Sequence, residues 1–382
     1  MIYFDNNATT RIAPEVIEAM LPYLNIEYGN PSSAHSAGRR SAIAVEDARA
    51  SVAQMLGAAS ADEIVFTATG SESDNWAILG SAGDLSEKPH FITSRIEHSA
   101  VSKVFESLEN RGCDVTWLDV DDTGALDNEA LCNSLNDRTK LVSLMLANNE
   151  TGIIFPVARI ATLIKERSKA LFHVDGVNAV GKIPIDLSNT DIDLFSLAGH
   201  KFHAPKGIGA LYIRSGVPLS PIVLGGGQEH GRRSGTEAVH QIVGLGAAAK
   251  LVKDTASMDR VSRLRNKLES GILKTIPNTH LNGTADRAKR LPNTSSISFG
   301  SVNGEMLMAR LDDRGVCVST GSACHTQAAS ASGVLQAMNI PHNLATGAIR
   351  FSLGRYNTED EVDNVLNMLP EMVRDLRRLS DV

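Results

Sequence analysis

Residues 194–213, LFSLAGHKFHAPKGIGALYI, form the stretch on which the fold prediction rests. An apolar run, Leu194–Leu197, comes first, and a second apolar run, Gly209–Ile213, closes the stretch. Glycine, proline and polar residues separate the two runs, which predicts two strands joined by a loop. Lys201 then lies on a loop at the end of a strand. Sheets of α/β proteins bind their ligands at such carboxyl ends, so Lys201 is a candidate functional residue.

Further apolar runs predict more strands of the same sheet before this stretch. They are Ile64-Val65-Phe66, Leu141-Val142-Ser143-Leu144-Met145 and Phe172-His173-Val174. Helical windows lie between the runs, as where Val45, Ala48, Val52 and Met55 recur at three- and four-residue spacing. Strands that alternate with helices predict an α/β fold with a mostly parallel sheet covered by helices.

The alternation of apolar runs and helical windows ends near Thr255, where we place a domain boundary. A charged helix follows it, and its apolar stripe comprises Val261, Leu264, Leu268 and Ile272. A last helix begins with the capping-box pattern Thr358–Glu361. A chain of 382 residues exceeds what one core usually organises, so two domains are expected.

Composition narrows the classes of function. A net charge of -7, without long charged blocks, argues against nucleic acid as the main ligand. No apolar stretch approaches the roughly 20 residues of a membrane span, and the first residues lack a secretory signal, so we predict a cytoplasmic protein. The four cysteines include no Cys-x-x-Cys pair, which disfavours a zinc site or a disulfide framework. For Cys113, Cys132 and Cys317 a place in the core is the default expectation.

Lys201 and Asp175 each have two interpretations when taken alone. A partly desolvated lysine amine can form a Schiff base, but a solvated loop lysine is commoner. Asp175 ends the apolar run that begins at Phe172, and such an acid often serves only as a turn or cap. An acid of this kind can also keep a pyridine nitrogen protonated. The pair together favours a pyridoxal 5'-phosphate (PLP) site.

The order of three motifs resembles the cysteine desulfurases of the NifS/IscS type, in the class V aminotransferase family. These are Asp175, Gly199-His200-Lys201, and Ser319-Thr320-Gly321-Ser322-Ala323-Cys324. Further similar segments are Asp5-Asn6-Asn7-Ala8-Thr9-Thr10, Gly29-Asn30-Pro31-Ser32-Ser33, Glu72-Ser73-Asp74-Asn75, Asn148-Asn149-Glu150-Thr151-Gly152, Arg233-Ser234-Gly235-Thr236 and Arg350-Phe351-Ser352. The resemblance covers nearly the whole chain.

The resemblance implies an α/β fold, PLP fold type I. Its large domain, residues 15–255, has a mostly parallel sheet with helices on both faces. Its smaller α+β domain comprises residues 1–14 and 256–382 and carries a mobile loop at about 319–333. A homodimer completes each site. L-cysteine is the substrate, and the acceptor is an iron-sulfur scaffold or another sulfur-accepting protein.

The resemblance also assigns roles to single residues. Lys201 holds PLP covalently, Asp175 contacts the ring nitrogen, and His98 stacks on the ring and relays protons. Further cofactor contacts are implied for Gly70, Ser71, Asn149, Asn178, His200 and, from the partner subunit, Thr236. Substrate contacts are implied for Arg350, Asn149 and Asn7. No metal site is predicted, although Cys324 could ligate an iron-sulfur cluster transiently.

Cys324 is the predicted sulfur acceptor. Small residues surround it, which suits a mobile loop able to carry a persulfide outward. In the implied reaction, Cys324 attacks the sulfur of L-cysteine and alanine is released. An aminotransferase, a selenocysteine lyase and a non-catalytic sulfur-trafficking subunit are the alternatives, and none of these requires turnover at Cys324.

Three departures from the family pattern stand out. Asn178 occupies a position where glutamine is usual, and Ala198 one where serine is common near the phosphate. Residues 325–329, His-Thr-Gln-Ala-Ala, differ from the usual small hydroxyl residues. We expect a longer or water-mediated contact from Asn178, and altered loop behaviour or partner preference.

Overall fold

The computed structural model describes residues 1–321 and 331–380. The helices of these ranges are α1 Pro14–Asn25, α2 Ser36–Leu56, α3 Gly70–Ser81, α4 Ser99–Asn110, α5 Asn128–Ser134, α6 Val157–Arg167, α7 Val239–Val252, α8 Ser257–Thr275, α9 Gly304–Asp313, α10 Gly333–Ala337, α11 His342–Ala345 and α12 Glu359–Ser380. The strands are β1 Ile2–Tyr3, β2 Ile64–Thr67, β3 His90–Ser94, β4 Asp114–Leu118, β5 Thr139–Met145, β6 Leu171–Asp175, β7 Leu194–Ala198, β8 Gly209–Ile213, β9 Thr279–Leu281, β10 Thr294–Phe299, β11 Val316–Cys317 and β12 Ala348–Ser352.

A seven-stranded sheet organises the larger part of the molecule, in the order β2-β8-β7-β6-β5-β3-β4. The strands from β7 to β4 pair in parallel, whereas β8 runs antiparallel to both of its neighbours. The prediction of a mostly parallel sheet is therefore confirmed. Because β2 is antiparallel to β8, it points the same way as β7. The carboxyl ends of six strands consequently meet at one edge.

Helices cover both faces of this sheet, which explains why its strands are apolar throughout. Val142 and Leu144 of β5 belong to one core, and Leu141 of the same strand belongs to the core on the other face. The predicted stripe of α2, Val45, Ala48, Val52 and Met55, is buried in the first of these cores. Helices α3 and α4 supply the second.

A separate apolar core lies beneath the smaller sheets. Strands β12, β10 and β9 form an antiparallel sheet, and β1 pairs in parallel with β11. The core combines Phe4 with residues of α8, α9 and α12, including the predicted stripe of α8. The capping box of α12 is present: Thr358 N donates to Glu361 Oε2 at 3.0 Å, and Glu361 N donates to Thr358 Oγ1 at 3.3 Å. We propose that this core corresponds to the small domain of residues 1–14 and 256–382.

Two of the cysteine expectations differ from the structure. Cys113 is buried, but Cys132 and Cys317 are only partly buried. Cys317 lies in the short strand β11, with its sulfur 4.0 Å from Asp312 Oδ1, so that expectation of a core position was wrong. Cys132 follows the buried Leu131 on a short helix, and the next residue of an amphipathic helix turns away from the core.

Two glycines, Gly244 and Gly246, lie within α7. A Cβ at Gly246 would lie 2.7 Å from the Cα of Ala48, so the glycine allows α7 to pack closely on α2. Among the described residues, no helix is long and apolar enough to cross a membrane.

Candidate active site

A cleft of about 750 Å³ opens at the carboxyl edge of the large sheet, between that sheet and the small core. Five of the residues predicted from the sequence line it: Asn7, His98, Asn149, Lys201 and Arg350. Thr320, Gly321 and Ser332 also line it. The cleft therefore brings together residues that are far apart in the sequence.

Lys201 reaches the cleft from a short 3-10 turn that directly follows β7. Its Nζ donates to the backbone oxygens of Asn7, at 2.6 Å, and Ala8, at 3.1 Å. The same turn holds the N-terminal segment through His200, whose oxygen accepts from Thr10 N at 2.8 Å. The lysine amine is thus fixed at the strand end, where the sequence placed it.

Asp175 ends β6, directly beside β7. It is buried, and its Oδ1 accepts a hydrogen bond from Val177 N at 2.9 Å. Burial raises the pKa of Asp175, while the charges of His98 and Lys201 and the bond from Val177 act in the opposite direction. The carboxylate would therefore gain from a positively charged partner in the cleft.

His98 is the N-cap residue of α4, and its Nδ1 accepts a hydrogen bond from Ala100 N at 3.1 Å. An Nδ1 that accepts a bond leaves the proton of the neutral ring on Nε2. Desolvation lowers the pKa of His98, and the charge of Lys201 lowers it too, against the opposing charge of Asp175. A neutral ring at working pH suits a proton relay.

The predicted phosphate residues lie at the start of α3 and beside it. Gly70 is buried at the first position of the helix, where a Cβ would lie 2.8 Å from Val177 Cγ2 and 3.0 Å from Ala198 Cβ. Ser71 is exposed beside it. His200 contacts Thr9 Oγ1 through Nδ1 at 3.2 Å, and burial lowers its pKa to about 4. Free amides at a helix start attract anions, so this end suits a phosphate.

Thr236 is exposed on the glycine-rich loop and does not line the cleft of the single chain. Its predicted role across a dimer stays a prediction.

The amide of Asn178 is held by protein groups on both of its polar atoms. Nδ2 donates to Asn148 O at 3.3 Å, and Oδ1 accepts from Lys182 Nζ at 2.7 Å. Lys182 also donates to Asn7 Oδ1 at 3.0 Å. Burial, followed by the charges of Lys201 and Arg350, lowers the pKa of Lys182 well below its usual value. Sequence reasoning missed this lysine, because nothing in its local pattern signals burial.

Arg350 projects from β12 into the cleft, and both of its terminal nitrogens, Nη1 and Nη2, have hydrogen-bond partners. Its Nη2 pairs with Asp5 Oδ1 at 2.7 Å, and Nη1 donates to Asn149 O at 3.0 Å. Its buried Nε has no hydrogen-bond partner among the residues described. Asn7 stands beside it, donating to Asn149 O at 3.0 Å and Thr294 Oγ1 at 2.8 Å. A donor left over here suits an incoming carboxylate.

Two carboxyl groups in the cleft were also missed. Burial raises the pKa of Glu97 to about 8, and its Oε2 has no partner within the described ranges. Burial likewise raises the pKa of Glu150 to about 7. Both residues adjoin sequence motifs, beside His98 and Asn149 respectively, but adjacency to a motif does not predict which way a side chain turns.

Cys324 lies outside the described residues. Gly321 and Ser332, which flank that part of the chain, both line the cleft.

These residues fit PLP. The start of α3 suits its phosphate, the buried carboxylate of Asp175 suits a protonated pyridine nitrogen, and Lys201 supplies an amine for its aldehyde. A lysine and an acid at the ends of neighbouring strands, together with an anion-binding helix start, are features of the class of PLP-dependent enzymes.

Comparison with known proteins agrees with this class. The family model described as aminotransferase class-V matches residues 2–365. A cysteine desulfurase of Trichormus azollae is 49% identical over 382 residues, covering 100% of this chain and 94% of that protein. The cysteine desulfurase NifS of Azotobacter vinelandii is 45% identical over 381 residues, covering 99% and 94%. The chain belongs to the class-V aminotransferase family.

Solved structures give the same result. One titled NifS-like protein has a TM-score of 0.91 at 40% identity and covers 98% of this chain and 100% of that chain. Another, titled SspA in complex with cysteine, has a TM-score of 0.83 at 34% identity and covers 94% and 100%.

Proposed function

We propose that the residues of the cleft remove sulfur from L-cysteine in the roles that the sequence predicted for them. The chain is a PLP-dependent cysteine desulfurase, and its products are L-alanine and a persulfide on Cys324. One observation carries the assignment of roles. Lys201 and His98 share one cleft with Gly321 and Ser332, which lie on either side of the segment that contains Cys324, and Asp175 ends β6 beside the strand that leads to Lys201.

Arg350, Asn7 and Asn149 bind the substrate in this proposal. The Nε of Arg350, which has no hydrogen-bond partner in the part of the chain that the structure describes, offers a donor to the substrate carboxylate, while Asp5 and Asn149 hold the guanidinium in place. The amide of Asn7 is fixed by Asn149 and Thr294. Substrate is thus oriented by groups that are already ordered, which lowers the entropy lost on binding.

Bound PLP supplies an electron-withdrawing ring that stabilises negative charge at the α-carbon of the substrate. Asp175 keeps the ring nitrogen protonated, and in return a positive charge at that nitrogen would relieve the cost of the buried carboxylate. The amine of Lys201 removes the α-proton, and His98 carries protons through Nε2.

The sulfur step has a simple balance. The Cys324 thiolate attacks the sulfur of the substrate, a new S–S bond forms and the C–S bond of the substrate breaks. The carbon takes up a proton, so L-cysteine and the Cys324 thiol become L-alanine and a Cys324 persulfide.

A homodimer belongs to the same proposal. Exposed apolar side chains lie on two surfaces, which comprise Ile17, Leu21 and Leu24 on α1 and Ile222, Val223 and Leu224 before the glycine-rich loop. Exposed apolar patches commonly mark protein interfaces. Thr236 is exposed on that loop, so a second subunit seated there would receive it at the phosphate.

The acceptor that we propose for the persulfide is an iron-sulfur scaffold or another sulfur-accepting protein. The cytosol is the proposed compartment, since Cys113, Cys132 and Cys317 are all free thiols in the structure.

The test is to incubate PLP-loaded protein with L-cysteine and a thiol reductant, and to measure alanine and sulfide together. Equal amounts of both are expected. Cys324→Ser should bind PLP normally and lose both products. Alanine formed at the full rate by Cys324→Ser would overturn the role of Cys324, and a keto acid in place of alanine would indicate an aminotransferase.

A further inference from the structure

Glu150 occupies a position that the reaction described above leaves unexplained. It lies in the turn between β5 and α6 and lines the cleft, partly buried. Its carboxylate contacts the start of α10, whose residues Val334 and Leu335 pack in the first core of the large sheet. There Oε2 accepts a hydrogen bond from Ser332 Oγ, across 182 residues of sequence.

The second contact of the same oxygen is with Gly321. A Cβ at Gly321 would overlap Glu150 Oε2 and would lie 2.8 Å from Ser332 Cβ. The backbone at Gly321 is therefore in close approach to both residues, which only glycine permits here. One carboxylate oxygen thus lies against Gly321 and Ser332, which stand on either side of the segment containing Cys324 in the sequence.

Both partners are themselves fixed. Ser332 is the N-cap of α10, and its Oγ accepts from Val334 N at 3.1 Å and Leu335 N at 3.3 Å. Before Gly321, Ser319 pairs with Arg350 through the backbone, with Arg350 N donating to Ser319 O at 2.7 Å. The carboxylate joins these two fixed elements.

The turn that carries Glu150 also contacts the substrate side of the cleft. Asn148 Oδ1 accepts from Glu150 N and Thr151 N, each at 2.9 Å, and so fixes the turn. Asn149 O in the same turn accepts from both Arg350 and Asn7. One turn therefore holds the substrate-binding arginine and the two residues that flank the acceptor segment.

From this geometry we propose that Glu150 is a positioning residue for the sulfur step. It ties Gly321 to Ser332 at the wall of the cleft and so sets where the segment containing Cys324 begins and ends. Cys324 follows Gly321 by three residues, so the covalent chain limits how far the thiol can lie from that anchor. The inference rests on the proposed role of Cys324.

The pKa of Glu150 is consistent with a carboxyl group that contacts protein groups and is removed from water. Burial raises the pKa of Glu150 to about 7, while the bond from Ser332 and the positive charge of Arg350 lower it. The hydrogen bond from Ser332 and the charge of Arg350 stabilise the Glu150 carboxylate at this buried position.

The experiment separates the substrate step from the sulfur step in the PLP-loaded protein. The change in cofactor absorbance on adding L-cysteine reports substrate arrival and does not need Cys324. Alanine formation and alkylation of the Cys324 persulfide report the sulfur step. Glu150→Ala should retain the absorbance change and the KM for cysteine within about twofold, but should lower kcat by about 10²-fold, the cost of a misplaced reacting group.

Two variants sharpen the test. Ser332→Gly removes the same hydrogen bond while glycine remains a tolerable N-cap, so it should lower kcat in the same direction. Glu166→Ala, at an exposed position of α6, is the control and should change neither readout.

The outcomes are distinct. Full alanine formation by Glu150→Ala, with an inactive Cys324→Ser, would overturn this inference and leave the proposed function intact. Equal loss of cofactor absorbance and alanine formation in Glu150→Ala would show a structural role instead and would also overturn it. Full alanine formation by Cys324→Ser would remove the proposed function on which the inference rests.

Discussion

Two groups of buried carboxylates in this molecule have opposite electrostatic surroundings. In the small core, Glu269 accepts two hydrogen bonds from Arg290, at 2.8 and 2.9 Å, and one from Ser295 at 2.8 Å. These bonds and charges lower the pKa of Glu269 despite its burial. At the carboxyl edge of the large sheet, burial outweighs the opposing charges and hydrogen bonds and raises the pKa of Asp175 and Glu97.

The difference separates a structural charge from a functional one. A buried ion pair that is fully hydrogen-bonded holds elements together, and it has little capacity left for a ligand. A buried carboxylate without a counter-charge lowers stability unless something else supplies the charge. Perturbed groups of this second kind cluster at functional sites. The cleft is thus built to receive a cofactor, and the small core is not.

Among the variants that test this comparison, Glu269→Ala should have the largest effect, and the effect should be on stability. It leaves the guanidinium of Arg290 buried without its partner, and breaking a buried pair in this way costs about 3–5 kcal/mol. We expect a marked fall in the thermal unfolding midpoint, while the cofactor absorbance of the protein that remains folded is unchanged. Calorimetry and the PLP spectrum measure the two effects.

The exposed Glu371→Ala on α12 is the matched control and should leave the midpoint in place. An unchanged midpoint in Glu269→Ala would contradict the claim that the pair of Glu269 and Arg290 stabilises the fold.

Asp175→Asn should lower activity and leave stability unchanged, which is the reverse of the effect of Glu269→Ala. The amide keeps the shape of the side chain but cannot hold the ring nitrogen protonated, so we expect kcat to fall about 10²- to 10³-fold, as when one preorganised electrostatic group is lost. The stability of the PLP-free protein should not fall, because a buried carboxylate with a raised pKa has been neutralised.

Alanine production and the unfolding midpoint of the PLP-free variant are measured side by side. A midpoint lowered as far as in Glu269→Ala would place Asp175 among the structural carboxylates and would break the comparison.

Sequence reasoning predicted the parts of this site that depend on strand ends. Asp175 and Lys201 were found because each follows an apolar run, and parallel strands bring such ends to one edge. The antiparallel direction of β8 was not predicted, although the chain carries a signal for it. Residues 199–208 connect β7 to β8, and a parallel crossover needs a dozen residues or more.

The missed residues share a different physical origin. Glu97, Glu150 and Lys182 are charged residues whose surroundings come from distant parts of the chain. The partners of Lys182 include Asn7, and the partner of Glu150 is Ser332. Local composition would place such residues on the surface. Their burial follows from the packing of the N-terminal segment and the small core against the large sheet.

The smallest expected effect concerns Glu97 and the pH dependence of stability. Its pKa is about 8 in the folded protein, chiefly because of burial, and about 4.3 in an unfolded chain. The folded state therefore retains a proton that the unfolded state has released across this interval. By linkage, the contribution of Glu97 to stability is greatest below about pH 4, falls as the pH rises, and levels off above about 8. One titrating group changes stability by at most about 1.4 kcal/mol per pH unit.

Glu97→Gln removes this titration while it keeps an acceptor for Ser94. We expect its unfolding midpoint, relative to the parent protein, to rise progressively between pH 6 and 8 in the PLP-free state. Since all other groups are shared, the difference between the two proteins reports the titration of Glu97 together with its effect on the nearby Asp74 and Asp175. A difference that is constant across this range would mean that Glu97 is ionised in the folded state like Glu269, and would move it to the structural side of the comparison.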